Sequence, residues 1–590
     1  MAEERRWNLS NIYPAVDSPE FTGALEKAGA MARELIETLK NSAAPDAGTL
    51  VSLIRRFEQL SDIAETLGAY AGACLSVNTE DKKALNAMNK VEELWVTFSD
   101  ADVLFSNFIA DNKDLVRSLC TKGGELEAYA FVAEKTIEGA AHQMSPELEN
   151  LAADLSRSGC DAFSRLQEAV SSVATATLNG EKKTVIQLRT MATDPDRSVR
   201  KAAYDAEISV WRTHQTAFAA ALNGVKGTCL SLEKRRGWND PLERSAWIAN
   251  VNMKVIDALI GAIEKNLPVF RRYLRAKAKA LGLDVLSYWD IFAPVGKASR
   301  KWSFEEATEF IEKQYAAFNP EQGAFVHNAV KNNWIDPFPR PGKTGGAYDT
   351  YFPAVKESRV FANFGGDYDG VFTLAHELGH AWHDHVVSNC PSFLRNYPMT
   401  LAETASIFGE FIVFNGAVKQ AADDAEKANL IENFLMGATQ TCVDILARFY
   451  FERDLFKARA EGELVPEELC SMMVDAQKRA YGEGIAEETI HPYMWAVKGH
   501  YYSEGFSFYN YPYAFGQLFG LGLYVKAQES GDGKPFFEEF NRILSITGQY
   551  DAVTVAATAG CDIQSPEFWQ KGLDVIAAYT KEFEKLVGSK

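Results

Sequence analysis

The segment from Val371 to His383, Val-Phe-Thr-Leu-Ala-His-Glu-Leu-Gly-His-Ala-Trp-His, constrains this chain more than any other. It holds an H-E-x-x-H pattern in an apolar setting, with Leu374, Ala375 and Leu378 suited to a buried helix. Residues four apart on an α-helix lie one turn above each other on the same face. His376 and His380 can therefore aim two imidazoles at one metal ion, with Glu377 beside them to handle a proton. The plain alternative is a pair of packed core histidines. The spacing favours a metal site and points to metal-assisted hydrolysis.

The third ligand decides what kind of site this is. A continuation H-x-x-G-x-x-H would require Gly at 383 and His at 386, but the chain has His383 and Val386. His383 shares the helix face yet lies about 10 Å along the axis from His376. It is expected to pack or to support a ligand. Glu403, in Thr400-Leu401-Ala402-Glu403-Thr404-Ala405-Ser406, is the better candidate. The loop from Cys390 to Pro398 lets the chain reverse, and a helix with Ile407, Phe408, Phe411 and Ile412 on its apolar face can return beside the first. Thr400-x-x-Glu403 is also a capping-box pattern, and Glu410 on the same face is the fallback ligand. Two histidines and one carboxylate leave a coordination position open, as in catalytic zinc sites. Zinc lowers the pKa of bound water from about 15.7 to about 7, and Glu377 is placed to take its proton and pass it to a leaving amine. No G-x-S-x-G motif offers a serine nucleophile.

Asp plus Glu number 80 against 61 for Lys plus Arg, a net charge of −19. That excess argues against nucleic acid or an anionic membrane as the main partner. No uninterrupted apolar run approaches the ~18–20 residues of a membrane span. The opening Met1-Ala2-Glu3-Glu4-Arg5-Arg6-Trp7 lacks the apolar core of a secretory signal. Eight scattered cysteines with no C-x-x-C pair suggest reduced thiols. A cytoplasmic location is expected.

Along the chain, 21–170 is largely helix-forming. Leu50, Leu53, Ile54, Phe57 and Leu60 make an amphipathic stripe whose ordinary role is packing; segments 81–110 and 147–170 behave alike. Thr175–Leu178, Asn179-Gly180 and Thr184–Leu188 read as a β-hairpin with a tight turn. Thr193-Asp194-Pro195-Asp196 then opens a helix near Arg197. A soft boundary near 190 divides an N-terminal helical region, 1–190, from a catalytic region, 191–590. Helical patterns continue through 197–282 and 303–318. The Pro- and Gly-rich stretch at 335–353 reads as a mobile surface loop rather than a phosphate loop. Ser358–Phe364 reads as a strand running through Gly365-Gly366 into the histidine helix, with Asp367 or Asp369 as its cap. Either it is an interior strand or its exposed edge holds a peptide by β-augmentation.

With these residues assembled, the chain resembles the oligoendopeptidase F group of the thimet-oligopeptidase-like zinc oligopeptidases. The likeness is carried by Phe372-Thr373-Leu374-Ala375-His376-Glu377-Leu378-Gly379-His380-Ala381, by Ala402-Glu403-Thr404-Ala405-Ser406, and by Trp7-Asn8-Leu9-Ser10-Asn11-Ile12-Tyr13-Pro14. It implies a mainly α, prolate zincin-type fold with a deep internal channel and a small β-sheet beside the zinc-binding helix. It also implies one Zn2+ per chain on His376, His380 and Glu403, with Glu377 as general base and short unstructured oligopeptides as substrates. The family uses a His and Tyr cluster to grip the scissile carbonyl, here within His500–Gly516. His500, Tyr509 and Tyr513 are the assigned residues, with Tyr502 and Tyr511 as alternatives, and an aromatic core cluster is the plain reading. The resemblance implies an endopeptidase. A carboxypeptidase or dipeptidyl peptidase on the same scaffold, or a non-catalytic peptide-binding protein, are the competing readings. Whether the chain acts as a monomer or a homo-oligomer is open.

Overall fold

The computed structural model describes residues 5–41, 44–296, 300–530 and 534–588. The chain is mainly helical, with five short strands in two sheets among the described residues. It divides into two compact units, each assembled from three segments. The first comprises Met1–Ala141, Arg300–Gly416 and Leu523–Cys561, and the second His142–Ser299, Ala417–Gly522 and Asp562–Lys590. The division drawn near residue 190 falls inside the second unit.

In the first unit, helices Pro19–Asn41, Ala47–Val77 and Lys82–Asp111 pack against one another. Asp46 and Asp81 start the latter two by accepting hydrogen bonds from amides of the first turn. The stripe Leu50, Leu53, Ile54, Phe57 and Leu60 is buried, and Phe57 stacks on Phe105 at 4.5 Å. Trp7 packs against Phe361, and the Asn8 carbonyl accepts from Arg359 Nε at 2.8 Å, so the opening motif is fastened to the sheet.

That sheet contains β3 (Ile335–Asp336), β4 (Tyr348–Phe352) and β5 (Glu357–Phe361) in the order β3-β5-β4. β5 runs parallel to β3 and antiparallel to β4, with Ile335 opposite Val360 and Thr350 opposite Arg359. The strand expected at 358–364 ends at Phe361 and is the central one. β5 is paired on both sides and has no free edge; β4 has one, among the described residues. The segment joining β3 to β4 is not the mobile loop its composition predicts. The Lys343 side chain is buried and its ammonium reaches Asp336 Oδ1 at 2.7 Å, the Phe338 carbonyl at 3.0 Å and the Ala362 carbonyl. Arg340 adds a two-pronged pair to Asp336. Proline and glycine prevent a regular ladder there, but a buried cation supplies the missing order.

Helix Met399–Gln420 is apolar and long enough to cross a membrane by length and composition, yet 67% of its most apolar window is buried inside the structure. A helix apolar on nearly every side is a core helix in a large protein. Phe408, for example, stacks on Phe540 at 4.4 Å.

In the second unit, β1 (Thr175–Leu178) and β2 (Glu181–Thr184) form the hairpin, with Asn179 and Gly180 both at positive φ. The second strand is not the expected Thr184–Leu188: it lies earlier, directly after the turn, and ends at Thr184. Thr184 and Gln187 make a reciprocal capping box that turns 185–190 into helix. The helical segment expected at 147–170 is likewise two helices, Pro146–Ser158 and Cys160–Val173, broken at Gly159. Asp196 caps the long helix Arg197–Arg235 through the Ser198 amide. Its Lys226 pairs with Glu452 of helix Ile445–Glu461 at 2.7 Å, both side chains almost fully buried. A second buried pair, Lys277 with Glu432 at 2.6 Å, ties helix Met253–Ala280 to Asp424–Thr439.

Candidate active site

The candidate site lies in the first unit, on two helices. Helix Tyr368–Val387 carries His376, Glu377 and His380, and begins where Asp367 accepts from the Gly370 amide at 3.0 Å. Asp367, rather than Asp369, is the cap. Helix Met399–Gln420 carries Glu403 and Glu410. Because that helix starts at Met399, Thr400 lies within its first turn rather than at its N-cap. The two helices touch backbone to backbone at Gly379. A Cβ added there would lie 2.6 Å from Ser406 Cα and 2.7 Å from the Ala405 carbonyl oxygen. Only glycine fits this approach, and the approach brings Glu403 to the histidines.

Glu403 Oε2 lies 3.3 Å from His376 Nε2 and 3.5 Å from His380 Nε2. Ligands about 2.0–2.2 Å from a tetrahedral ion stand ~3.3–3.6 Å apart, so these donors fit a zinc-sized cation in chemistry and in spacing. Among the described residues, His376, His380 and Glu403 form the one group of three or more His, Cys, Asp or Glu side chains whose donor atoms lie close enough together to hold one metal ion. Ser406 Oγ donates to Glu403 Oε2 at 2.8 Å and fixes its rotamer.

Glu410 lies two turns beyond Glu403, on the same face. Its Oε2 sits 3.0 Å from His376 Nδ1, on the far side of the ring from Glu403. It therefore orients His376 instead of joining the donor triad: a proton on Nδ1 is donated to Glu410, leaving Nε2 free for a metal. This role was missed in the sequence, although a carboxylate seven residues after Glu403 was a visible signal.

Glu377 is 8% exposed. Burial raises its carboxyl above the usual range; the two histidines and the Asp349 backbone of β4 work against that rise. Behind it, burial and Asp384 push the Asp349 carboxyl well up. Asp384 accepts from Tyr397 OH at 2.9 Å and from Ser358 Oγ at 3.2 Å. His383 is fully buried, its ring stacks on Tyr397 at 4.0 Å, and its Nε2 meets Thr547 Oγ1 at 2.8 Å. Burial holds it neutral, with a pKa of about 3. It is a packing residue.

The second unit gathers His500, Tyr509 and Tyr513. The His500 and Tyr509 rings stack at 5.9 Å, and the hydroxyls of Tyr509 and Tyr513 are 3.0 Å apart. Phe508, immediately before Tyr509, has φ of +56°. A left-handed backbone at a bulky residue costs about 1–2 kcal/mol and is held by burial of its ring against Phe449 and Phe456. The alternatives Tyr502 and Tyr511 are buried, and Tyr511 OH donates to the Ser245 carbonyl at 3.3 Å.

A mainly helical fold that presents this donor set beside a buried glutamate defines an H-E-x-x-H metallohydrolase. A model of peptidase family M3 matches residues 190–575, and one of oligopeptidase F matches residues 108–173. An oligoendopeptidase F homolog of Lactococcus lactis subsp. lactis (strain IL1403) is 26% identical over 606 residues, covering 100% of this chain and 98% of the relative. A solved peptidase chain from Chlamydophila abortus superposes with a TM-score of 0.85 at 21% identity, over 99% of both chains. Oligoendopeptidase-F from Enterococcus faecium superposes with a TM-score of 0.71 at 20% identity, over 97% of this chain and 99% of that one. The chain belongs to peptidase family M3 and is a metallopeptidase.

Proposed function

We propose that this chain is a zinc-dependent endopeptidase that hydrolyses internal bonds of short, unstructured oligopeptides. The observation that carries the proposal is the convergence of His376 Nε2, His380 Nε2 and Glu403 Oε2, at metal-ligand spacing, beside a buried Glu377. Zinc, when bound, supplies a Lewis acid that acidifies water and polarises a peptide carbonyl.

Glu377 takes a proton from the attacking water and delivers it to the departing amine. A carbon–oxygen bond forms, the carbon–nitrogen bond breaks, and a carboxylate and an amine are released. Glu410 keeps the His376 proton on Nδ1. His500, Tyr509 and Tyr513 are assigned as hydrogen-bond donors to the carbonyl oxygen as its charge grows, a contribution of a few kcal/mol for such donors. The free edge of β4, whose Asp349 backbone faces Glu377, is the strand suited to pair with substrate backbone.

The test uses internally quenched peptides of increasing length with both termini blocked, and native protein against Glu377→Gln. The proposal expects cleavage of short blocked peptides, loss on chelation, and restoration by zinc. Glu377→Gln should keep zinc and peptide binding while turnover falls ~10²–10⁴-fold. Cleavage confined to peptides with a free end would establish an exopeptidase instead. Native turnover by the Gln variant would remove Glu377 as the base.

A further inference from the structure

His500 is held by a chain of side chains that lies wholly within the second unit. Its Nε2 is 2.6 Å from Nδ2 of Asn510. The orientation of that amide is decided on its other side, where Arg448 Nη1 donates to Asn510 Oδ1 at 2.9 Å. A guanidinium has five donors and no acceptor. The amide atom facing Arg448 must therefore be the oxygen, and the atom facing His500 must be the NH2 group. An NH2 group only donates, so Nε2 of His500 must offer a lone pair. The single ring proton is then on Nδ1.

Arg448 is anchored in turn. It forms an ion pair with Asp444, one helical turn earlier, at the end of the π-helical turn Gln440–Asp444. Burial would raise the Asp444 carboxyl, but Arg448 and Lys498 bring it below its usual range. Tyr481 OH also donates to Asp444. Asn510 is 7% exposed and Asp444 is 4% exposed.

We propose that Asn510, oriented by Arg448, is a positioning residue that locks His500 as the neutral Nδ1–H tautomer, so that His500 serves the reaction as a hydrogen-bond donor through Nδ1 and not as a general acid. An imidazolium would place an N–H against the Asn510 NH2 group, donor against donor. The surrounding charges disfavour it as well. Arg448, Lys226 and Lys498 are the cations acting on the ring, and Asp444 is the anion that opposes them. Lys226 is itself paired with Glu452. Burial, followed by these cations, brings the His500 pKa down to about 3. The rings of Tyr501 and Tyr509 cover the imidazole at 4.4 and 5.9 Å. The catalytic half of this proposal rests on the donor role assigned to His500 above; the tautomer does not.

The experiment is 15N NMR of the full-length protein labelled at histidine, with His500→Gln to identify the resonance. The proposal expects a protonated Nδ1, an unprotonated Nε2, and no titration of His500 between pH 5 and 8. A proton on Nε2, or a titration near the ordinary pKa of ~6.5, would overturn it. Asn510→Asp is the companion variant, because a carboxylate accepts from Nε2–H. It should move the ring proton to Nε2, bring His500 titration into the pH 5–8 window, add a limb to the kcat profile, and lower kcat at least about 10-fold. Asn510→Gln, which retains an amide, should recover part of the loss. If the native tautomer is Nδ1–H but Asn510→Asp leaves kcat and its pH profile unchanged, the donor role of His500 fails while the locked tautomer stands. If Asn510→Asp does not fold, the native spectrum alone decides the tautomer.

Discussion

Replacing Gly379 with alanine adds one methyl group and is predicted to dismantle the metal site without touching a ligand. The new Cβ would stand 2.6 Å from Ser406 Cα and 2.7 Å from the Ala405 oxygen, both backbone atoms that no rotamer change can move. Ordinary contact needs ~3.4 Å, so the helices must part locally by roughly 0.8 Å. Glu403 sits three residues from Ser406 and moves with it. Metal–ligand distances hold to within about ±0.2 Å, so the shift is several times what the site tolerates. Zinc affinity should fall at least ~100-fold, and overpacking should cost a further ~1–3 kcal/mol of stability. Competition against a chromophoric chelator measures the first effect. Denaturant unfolding of the metal-free protein measures the second separately. Peptidase activity should be lost at stoichiometric zinc and recover in part with excess. Zinc affinity within about twofold of native would refute the backbone contact and the reasoning built on it.

Two further outcomes follow from contacts around and beyond the site. Glu410→Gln should weaken zinc binding ~10–100-fold by loosening His376, with turnover largely restored at saturating zinc; failure to restore it would show that Glu410 acts as a ligand. In the second unit, Glu207 receives Arg189 Nη1 at 2.6 Å and the Trp211 indole at 3.0 Å, with His491 at 3.4 Å. Burial alone would raise its carboxyl, but His491 and Arg189 outweigh it and bring the pKa from 4.5 to about 2. A carboxyl depressed on folding stabilises the fold above its unfolded pKa and loses that contribution as pH falls through the folded value. About 3 kcal/mol should therefore disappear between pH ~4.5 and ~2. The stability gap between native protein and Glu207→Gln, followed by denaturant unfolding against pH, should close across that window; a gap independent of pH would contradict it.

What the sequence revealed and what it hid follow from the range of the interactions involved. The histidine helix and a cap at Asp367 or Asp369, the Asn179-Gly180 turn and the stripe from Leu50 to Leu60 are set by neighbours within a few residues, and all were legible. Glu403 was reachable because a return helix was the simplest continuation after Cys390–Pro398. Glu410 was seen only as a spare ligand, since its partner is the far nitrogen of His376 and ring orientation leaves no mark in spacing. Sheet order was not legible either, because β3 pairs with β5 across more than twenty residues. At 337–347 composition misled: proline and glycine report the absence of a ladder, and only the fold shows Lys343 tying the segment down. The backbone contact at Gly379 was written in the motif as a small residue, but its partner helix was needed to see why. Arg448 and Asn510 carry no motif at all.

The apolar helix Met399–Gln420 also has a history. The third segment of its unit, Leu523–Cys561, supplies Phe540 against Phe408 and Thr547 against His383. About 140 residues separate the end of the helix from the end of that segment, roughly 7–28 s of synthesis at ~5–20 residues per second. Through that interval a stretch as apolar as a membrane span waits on the ribosome without the aromatic surface that later covers it. Nascent chains stalled near residue 450 should bind a holdase chaperone at this segment, and chains extended past residue 561 should let it go.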